Sequence, residues 1–368
     1  MKFLIAPNAF KGTISAEEAA KIIAQKVEER SGFECIIQPV ADGGDGTCGL
    51  LIDSLLLEKI PVLTLNAIGQ PAMGYFGWDS EHKKAYLDIS SATGIGSLEL
   101  RQRDPYSTST FGTGQVILKA IQMGAEEIIL GLGGSATIDM GLGILNALGI
   151  LFLDENGREI PAFTPHYLEK IKHIQKTLEI AKIRFTCLCD VKNPFFGENG
   201  AVKVYGPQKG LALKHVPDFE KTCLDVLGLL IKKSKGEWAD QAGFGAAGGI
   251  ALGLGFFFPI DIKIGADYFF ELVAIEEKVI QSDWIITGEG QYDSQSDQGK
   301  ASFALLLLAR SHKKKIALIT SGSGGRKAGF DLVLELPSLD FSTKDFKEKA
   351  RQNLSGLIDK AVLGERFD

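Results

Sequence analysis

Acidic residues gather in three loops of this chain, each placed directly after an apolar run. Asp42 and Asp45 share the turn Ala41-Asp-Gly-Gly-Asp-Gly-Thr47, Asp190 precedes Val191-Lys-Asn-Pro194, and Glu289 and Asp293 flank Gly290. Paired carboxylates on a turn suit Mg²⁺, a hard ion that takes oxygen ligands and bridges one or two carboxylates to phosphate oxygens. They equally suit base chemistry: a carboxylate at the end of an uncharged strand is partly desolvated, holds its proton more tightly, and can take one from a hydroxyl. Asp42 and Asp190 are the candidate bases, and Glu289 with Asp293 the candidate metal ligands. Asp45 is either a substrate contact or the cap of a helix that starts at Thr47.

The anionic counterpart has its own cradle. Ile128-Ile-Leu130 breaks into Gly131-Leu-Gly133-Gly134-Ser135-Ala-Thr137, and an apolar segment from Leu142 to Leu148 follows. Strand, glycine turn and helix start bring backbone N–H groups and the positive end of a helix towards an anion. Gly133, Gly134, Ser135 and Thr137 are therefore the expected phosphate contacts. Lys11, in the first loop, and Lys209, in Gly206-Pro-Gln-Lys-Gly210, are placed to neutralise phosphate charge. The hydroxyl-rich stretch Ser107-Thr-Ser-Thr110-Phe-Gly-Thr113 opens a helix, and Ser109 and Thr113 are expected to hold a small carboxylate. A Walker A loop is missing, as is a G-x-G-x-x-G after the first strand. No G-x-S-x-G elbow with a His partner is found. The sum is phosphoryl transfer to a small polar acceptor, which requires positioning, a phosphate cradle, Mg²⁺ and a base.

The elements that must position these groups are short apolar runs: Phe3–Ala6, Cys35–Val40, Ile128–Leu130, Phe185–Cys189, Trp284–Thr287 and Ile316–Thr320. Each is apolar on both faces, as fully buried parallel strands are. Helical segments alternate with them: Ala16–Arg30 behind the capping box Ser15-Ala-Glu-Glu18, then Gly114–Met123, Leu142–Leu148 and Phe303–Ser311. The alternation predicts a doubly wound α/β sheet with ligands at the carboxyl ends of its strands. Residues 61–110 read instead as antiparallel strands, and residues 195–271 hold a helix from Asp218 to Lys233 and a glycine-rich stretch. The expected division is 1–60, 111–194 and 272–368 for the parallel domain. A second α/β domain, inserted in two segments, takes 61–110 and 195–271.

Composition narrows the class. With 368 residues the chain is long enough for two domains, and a net charge of −6 argues against a nucleic-acid binder. Five cysteines without C-x-x-C spacing fit a reducing cytosol, and five histidines show no zinc-ligand spacing. The longest apolar stretch, Gly248–Ile260, is rich in glycine and stops at Asp261, so no membrane span and a cytoplasmic protein are expected.

Taken together, the motifs resemble the type I glycerate kinase family. The matching segments, in the family's order, are Ala6-Pro-Asn-Ala-Phe-Lys-Gly12, Pro39-Val-Ala-Asp-Gly-Gly-Asp-Gly-Thr47, Gly133-Gly-Ser-Ala-Thr-Ile-Asp139, Cys189-Asp-Val-Lys-Asn-Pro194, Gly206-Pro-Gln-Lys-Gly210, Gly243-Phe-Gly-Ala-Ala-Gly-Gly249, and Thr287-Gly-Glu-Gly290 with Asp293. Departures stand at Asn8, Ala9, Asp45, Ile138 and Met140, where the family usually has Asp, Ser, Glu, Asn and Gly. The resemblance implies a flavodoxin-like (Rossmann-like) parallel sheet with helices on both faces, a second mixed α/β domain, and an active-site cleft between them. It further implies ATP and Mg²⁺ as cofactors, D-glycerate as substrate, and 2-phosphoglycerate or 3-phosphoglycerate as product. The alternatives are a kinase of a related hydroxy acid, such as tartronate, and a non-catalytic sugar-acid or nucleotide sensor. A monomer or a homodimer fits equally.

Overall fold

The computed structural model describes residues 1–10, 12–177, 182–235, 239–292, 300–322, 324–364 and 367. Its strands in chain order are β1 (Lys2–Ile5), β2 (Glu34–Ile37), β3 (Glu58–Leu65), β4 (Pro71–Asp79), β5 (Lys84–Asp88), β6 (Glu127–Gly131), β7 (Ile150–Leu153), β8 (His173–Lys176), β9 (Arg184–Cys189), β10 (Ile260–Ile264), β11 (Trp284–Gln291), β12 (Lys315–Ser321) and β13 (Leu332–Leu336). By their contacts the residues divide into two compact units, Met1–Asp42 with Ile264–Asp368, and Gly43–Lys263.

The first unit is built on a sheet of order β13-β12-β11-β1-β2, parallel throughout. Its register pairs Phe3 with Trp284 and Ile5 with Ile286, and Ile286 with Ala317. These residues face the helices Ala16–Ser31 and Phe346–Leu363, where Ile23, Val27, Leu354 and Ile358 complete a core. Because side chains alternate along a strand, Leu4, Ile285 and Leu318 point the other way. They too are fully buried, and the helix Ala301–Ser311 packs on β11 and β12 with Leu305 and Leu306 buried. Cover on both faces is the reason the middles of β1, β11 and β12 are apolar on both sides. Ser15 caps the first helix as its sequence predicts, its hydroxyl accepting from Glu18 N at 3.2 Å.

The second unit carries a sheet of order β10-β9-β6-β5-β4-β3. The pairs β3–β4 and β4–β5 are antiparallel, whereas β5–β6 and β6–β9 are parallel. So β5, expected only as the end of an antiparallel run, is the strand at which the sheet changes sense. A two-stranded antiparallel pair, β7–β8, stands apart. Two expectations differ here. β6 and β9 do not join the sheet of β1 and β11; they extend the mixed sheet. The chain leaves the parallel sheet after Asp42 and returns at Ile264, so the second unit is one continuous segment, not two. The expected boundaries at 60, 110 and 194 separate strands of the one six-stranded sheet, because a fully buried strand carries no mark of which sheet it enters; the boundary at 271 falls a few residues past its last strand.

Candidate active site

In the first unit the carboxyl ends of β1, β11, β12 and β13 open into a cavity of about 510 Å³. Asn8, Asp42, Glu289 and Lys300 line its polar side. Asp42 is 4% exposed and Glu289 5% exposed. Asn8 donates from Nδ2 to Asp42 Oδ2 at 3.0 Å and accepts from Ala9 N through Oδ1 at 2.7 Å, so it fixes the Asp42 carboxylate. Lys300 Nζ lies 3.4 Å from Glu289 Oε2. Burial raises the proton affinity of Glu289; Lys300 lowers it, and the charge of Asp42 adds to the rise. A buried carboxylate that feels the charge of a second carboxylate lining the same cavity marks a site for a cation or a proton. Among the described residues no three acidic, histidine or cysteine side chains close a metal cage. Lys11 and Asp293 lie outside the described residues.

The glycine turn lies in the second unit and is pressed against Gly44 and Asp45 of the loop before Thr47. A Cβ on Gly133 would stand 2.1 Å from Asp45 N and from Gly44 C, so only glycine permits this approach. Gly134 has φ +71°, and a Cβ there would meet Asp45 Cγ at 3.0 Å and Ser90 Cβ at 3.1 Å. The half-buried Gly133 and Gly134, the exposed Asp45 and Ser90 thus converge. Ser135 Oγ accepts from Thr137 N at 3.1 Å and lies 3.1 Å from Thr137 Oγ1. Both side chains are buried behind the turn, Thr137 completely.

The helix start that should meet an anion is already taken. Asp139, 5% exposed, accepts from Gly141 N at 3.2 Å and Gly143 N at 3.3 Å, and from both N and Oγ1 of Thr110 at 2.8 Å. The helix Leu142–Ala147 is therefore capped by its own chain, and an anion at the turn would rest on Gly133 and Gly134. Lys209 is 4% exposed and donates to Thr137 O at 2.7 Å; burial pushes its ammonium down to about 7, against a smaller upward pull from Asp139. Expected as a phosphate contact, it ties the end of the glycine turn in place from behind.

Hydroxyls expected to hold a carboxylate are likewise engaged inside the fold. Thr113 Oγ1 is 2.7 Å from Thr93 Oγ1, and Thr113 is fully buried. Ser109 Oγ accepts from Phe111 N at 3.2 Å, while Thr110 Oγ1 joins Asp139 to Ile144 N. Asp190 stands half-buried just after β9, where burial raises the proton affinity of Tyr205 and Cys189 and the charge of Asp190 adds a smaller rise.

The sequence reading passed over a further buried acid. Asp88 ends β5, is 1% exposed, and accepts from Cys48 N and Gly49 N at 3.0 Å. It thereby caps the helix Thr47–Ser54, the role considered for Asp45. Burial pushes its carboxyl up to about 7 despite those donors, and the charge of Asp45 contributes. A Cβ on Gly131 would lie 2.1 Å from Asp88 Oδ1, so the first glycine after β6 makes room for this carboxylate. A lone acid at the end of Ala85-Tyr-Leu-Asp88 was the available signal.

Fold and site define an α/β protein with buried carboxylates and a glycine turn at the carboxyl ends of parallel strands, where such folds bind ligands. The glycerate kinase family model matches residues 3–363. A glycerate kinase of Halalkalibacterium halodurans is 32% identical over 98% of this chain and 96% of its own. The glycerate 2-kinase of Escherichia coli is 33% identical over 86% of this chain and 84% of its own. A crystal structure of a candidate glycerate kinase 2 from Salmonella typhimurium LT2 superposes with a TM-score of 0.83 at 28% identity, covering 100% of this chain and 98% of that one. The chain belongs to the glycerate kinase family and is an enzyme of it.

Proposed function

We propose that this enzyme transfers the γ-phosphate of ATP to a hydroxyl of D-glycerate, giving phosphoglycerate and ADP. The observation that carries the reading is that Asp42 and Glu289 are both buried and both line one open cavity at strand ends. These oxygens fit Mg²⁺, which needs only one or two carboxylates and completes its shell with water and phosphate. Glu289 would hold the ion, with Asp293 as a second ligand. Bound there, Mg²⁺ supplies positive charge against phosphate oxygens.

Within this reading Gly133 and Gly134 offer backbone to the phosphates, supported from behind by Ser135, Thr137 and Lys209. Ser109 and Asp45 orient the acceptor, and Lys11 balances charge. Asp42 or Asp190 takes the proton of the attacking hydroxyl while the acceptor oxygen bonds to phosphorus and the ADP oxygen leaves. Replacing a base should lower turnover at least a hundredfold with little change in KM. If Asp42→Asn and Asp190→Asn both turn over normally, the base assignment is wrong. Glycerate-dependent ADP release separates the kinase from a sensor, which binds without turnover, and comparing rates on glycerate and tartronate fixes the acceptor.

A further inference from the structure

Only one side of the strand-end cavity is polar. Its other wall is Phe10, Ile14, Leu336, Leu339 and Phe341, backed by Ala350 of the helix Phe346–Leu363. Phe10 and Ile14 are fixed: they are 3% and 4% exposed, and the Phe10 backbone bridges to Ile14. Phe341 is 64% exposed, an aromatic ring left in water at the cavity edge, 5.7 Å from the Phe346 ring. Asn353 brings a side-chain amide to the same lining.

A three-carbon acid does not match this space. The cavity, about 510 Å³, is of the size that holds drug-sized ligands. Glycerate has no apolar surface to place on the aromatic wall, and it fills only a fraction of the volume. A purine nucleotide matches on each count. Its base offers a flat apolar face to Phe341 and Leu339, and its edge presents the donor and acceptor pattern that an Asn amide pairs with. Its phosphates, carried as a metal complex, reach the carboxylate side.

Resting on the kinase reading above, we infer that this cavity seats the nucleoside of the phosphate donor, with Phe341 and Leu339 against the base and Asn353 at its edge. Two measurements on the intact chain test it: MgADP binding by calorimetry without glycerate, and steady-state kinetics with ATP and GTP. Phe341→Ala removes an exposed ring, so the fold is not at risk; it should weaken MgADP at least tenfold and raise the KM for ATP similarly, leaving the glycerate KM unchanged. Asn353→Leu should weaken ATP more than GTP and so erode discrimination between them. The inference is overturned if native protein does not bind MgADP, if both variants bind it within twofold of native, or if the glycerate KM rises instead. Failure of the kinase reading looks different: native protein binds MgADP, Phe341→Ala weakens it, and glycerate elicits no ADP release.

Discussion

Two buried ionisable groups in the second unit oppose each other in their effect on stability. Asp88 has its carboxyl raised from 3.8 to about 7, so across that window the native protein keeps a proton the unfolded chain has lost. Its contribution therefore falls as pH rises from about 4 to 7. Lys209 is lowered from 10.5 to about 7, so the unfolded chain binds the extra proton above 7 and stability rises with pH towards 10.5. Each group adds a slope of no more than about 1.4 kcal/mol per pH unit. Urea unfolding at a series of pH values should show Asp88→Asn flattening the acid arm and Lys209→Met the alkaline arm. Asp88→Asn should also lose about 1–3 kcal/mol at pH 5, because an amide cannot accept from both Cys48 N and Gly49 N. In the first unit, Glu289→Gln should raise the Mg²⁺ concentration for half-maximal turnover at least tenfold without lowering the melting temperature, since it removes a buried charge. Unchanged Mg²⁺ dependence would remove Glu289 from the metal site.

At the scale of elements, the glycine turn is a contact between loops before it is a ligand site. Gly133→Ala drives a methyl into the backbone of Gly44 and Asp45, which cannot swing aside as a side chain can. The expected result is an activity loss of at least a hundredfold with stability lowered by about 1–3 kcal/mol, read by kinetics and urea unfolding together. Gly96→Ala, with nothing within 4 Å of the new carbon, is the control and should leave both unchanged. This element was legible in part. The strand Glu127–Gly131, its turn and the helix from Leu142 stand where periodicity and glycine spacing put them. That the helix start is closed by Asp139, and the neighbouring helix by Asp88, was not legible. Asp88 caps from forty positions away, and Asp139, although its helix contacts are two and four residues on, is held in place by Thr110, 29 positions back; spacing does not record such meetings.

For the whole molecule, all five cysteines are free, and among the described residues no helix is long and apolar enough to cross a membrane. If the catalytic reading holds, MgADP at a hundred times its Kd should stabilise the protein by about 2.7 kcal/mol, measurable as a shift of the urea midpoint. Phosphorus NMR of the product decides between 2-phosphoglycerate and 3-phosphoglycerate.

The sequence by itself determined the class of structure and the order of the motifs. Runs apolar on both faces, each ended by glycine and acid, are dictated by burial and turn chemistry, which act locally and leave their mark in residue type. Tertiary structure alone decided which sheet each run entered, because parallel strands buried on both faces are interchangeable in composition. It also decided which polar groups look outward. Thr113 and Lys209 carry the same chemistry as a ligand contact, yet they are buried and bonded within the fold, while Asn8, read only as a departure from the family pattern, and Lys300, not singled out, contact Asp42 and Glu289. Burial and distance between remote residues make that distinction, and neither is a property of the residues taken one at a time.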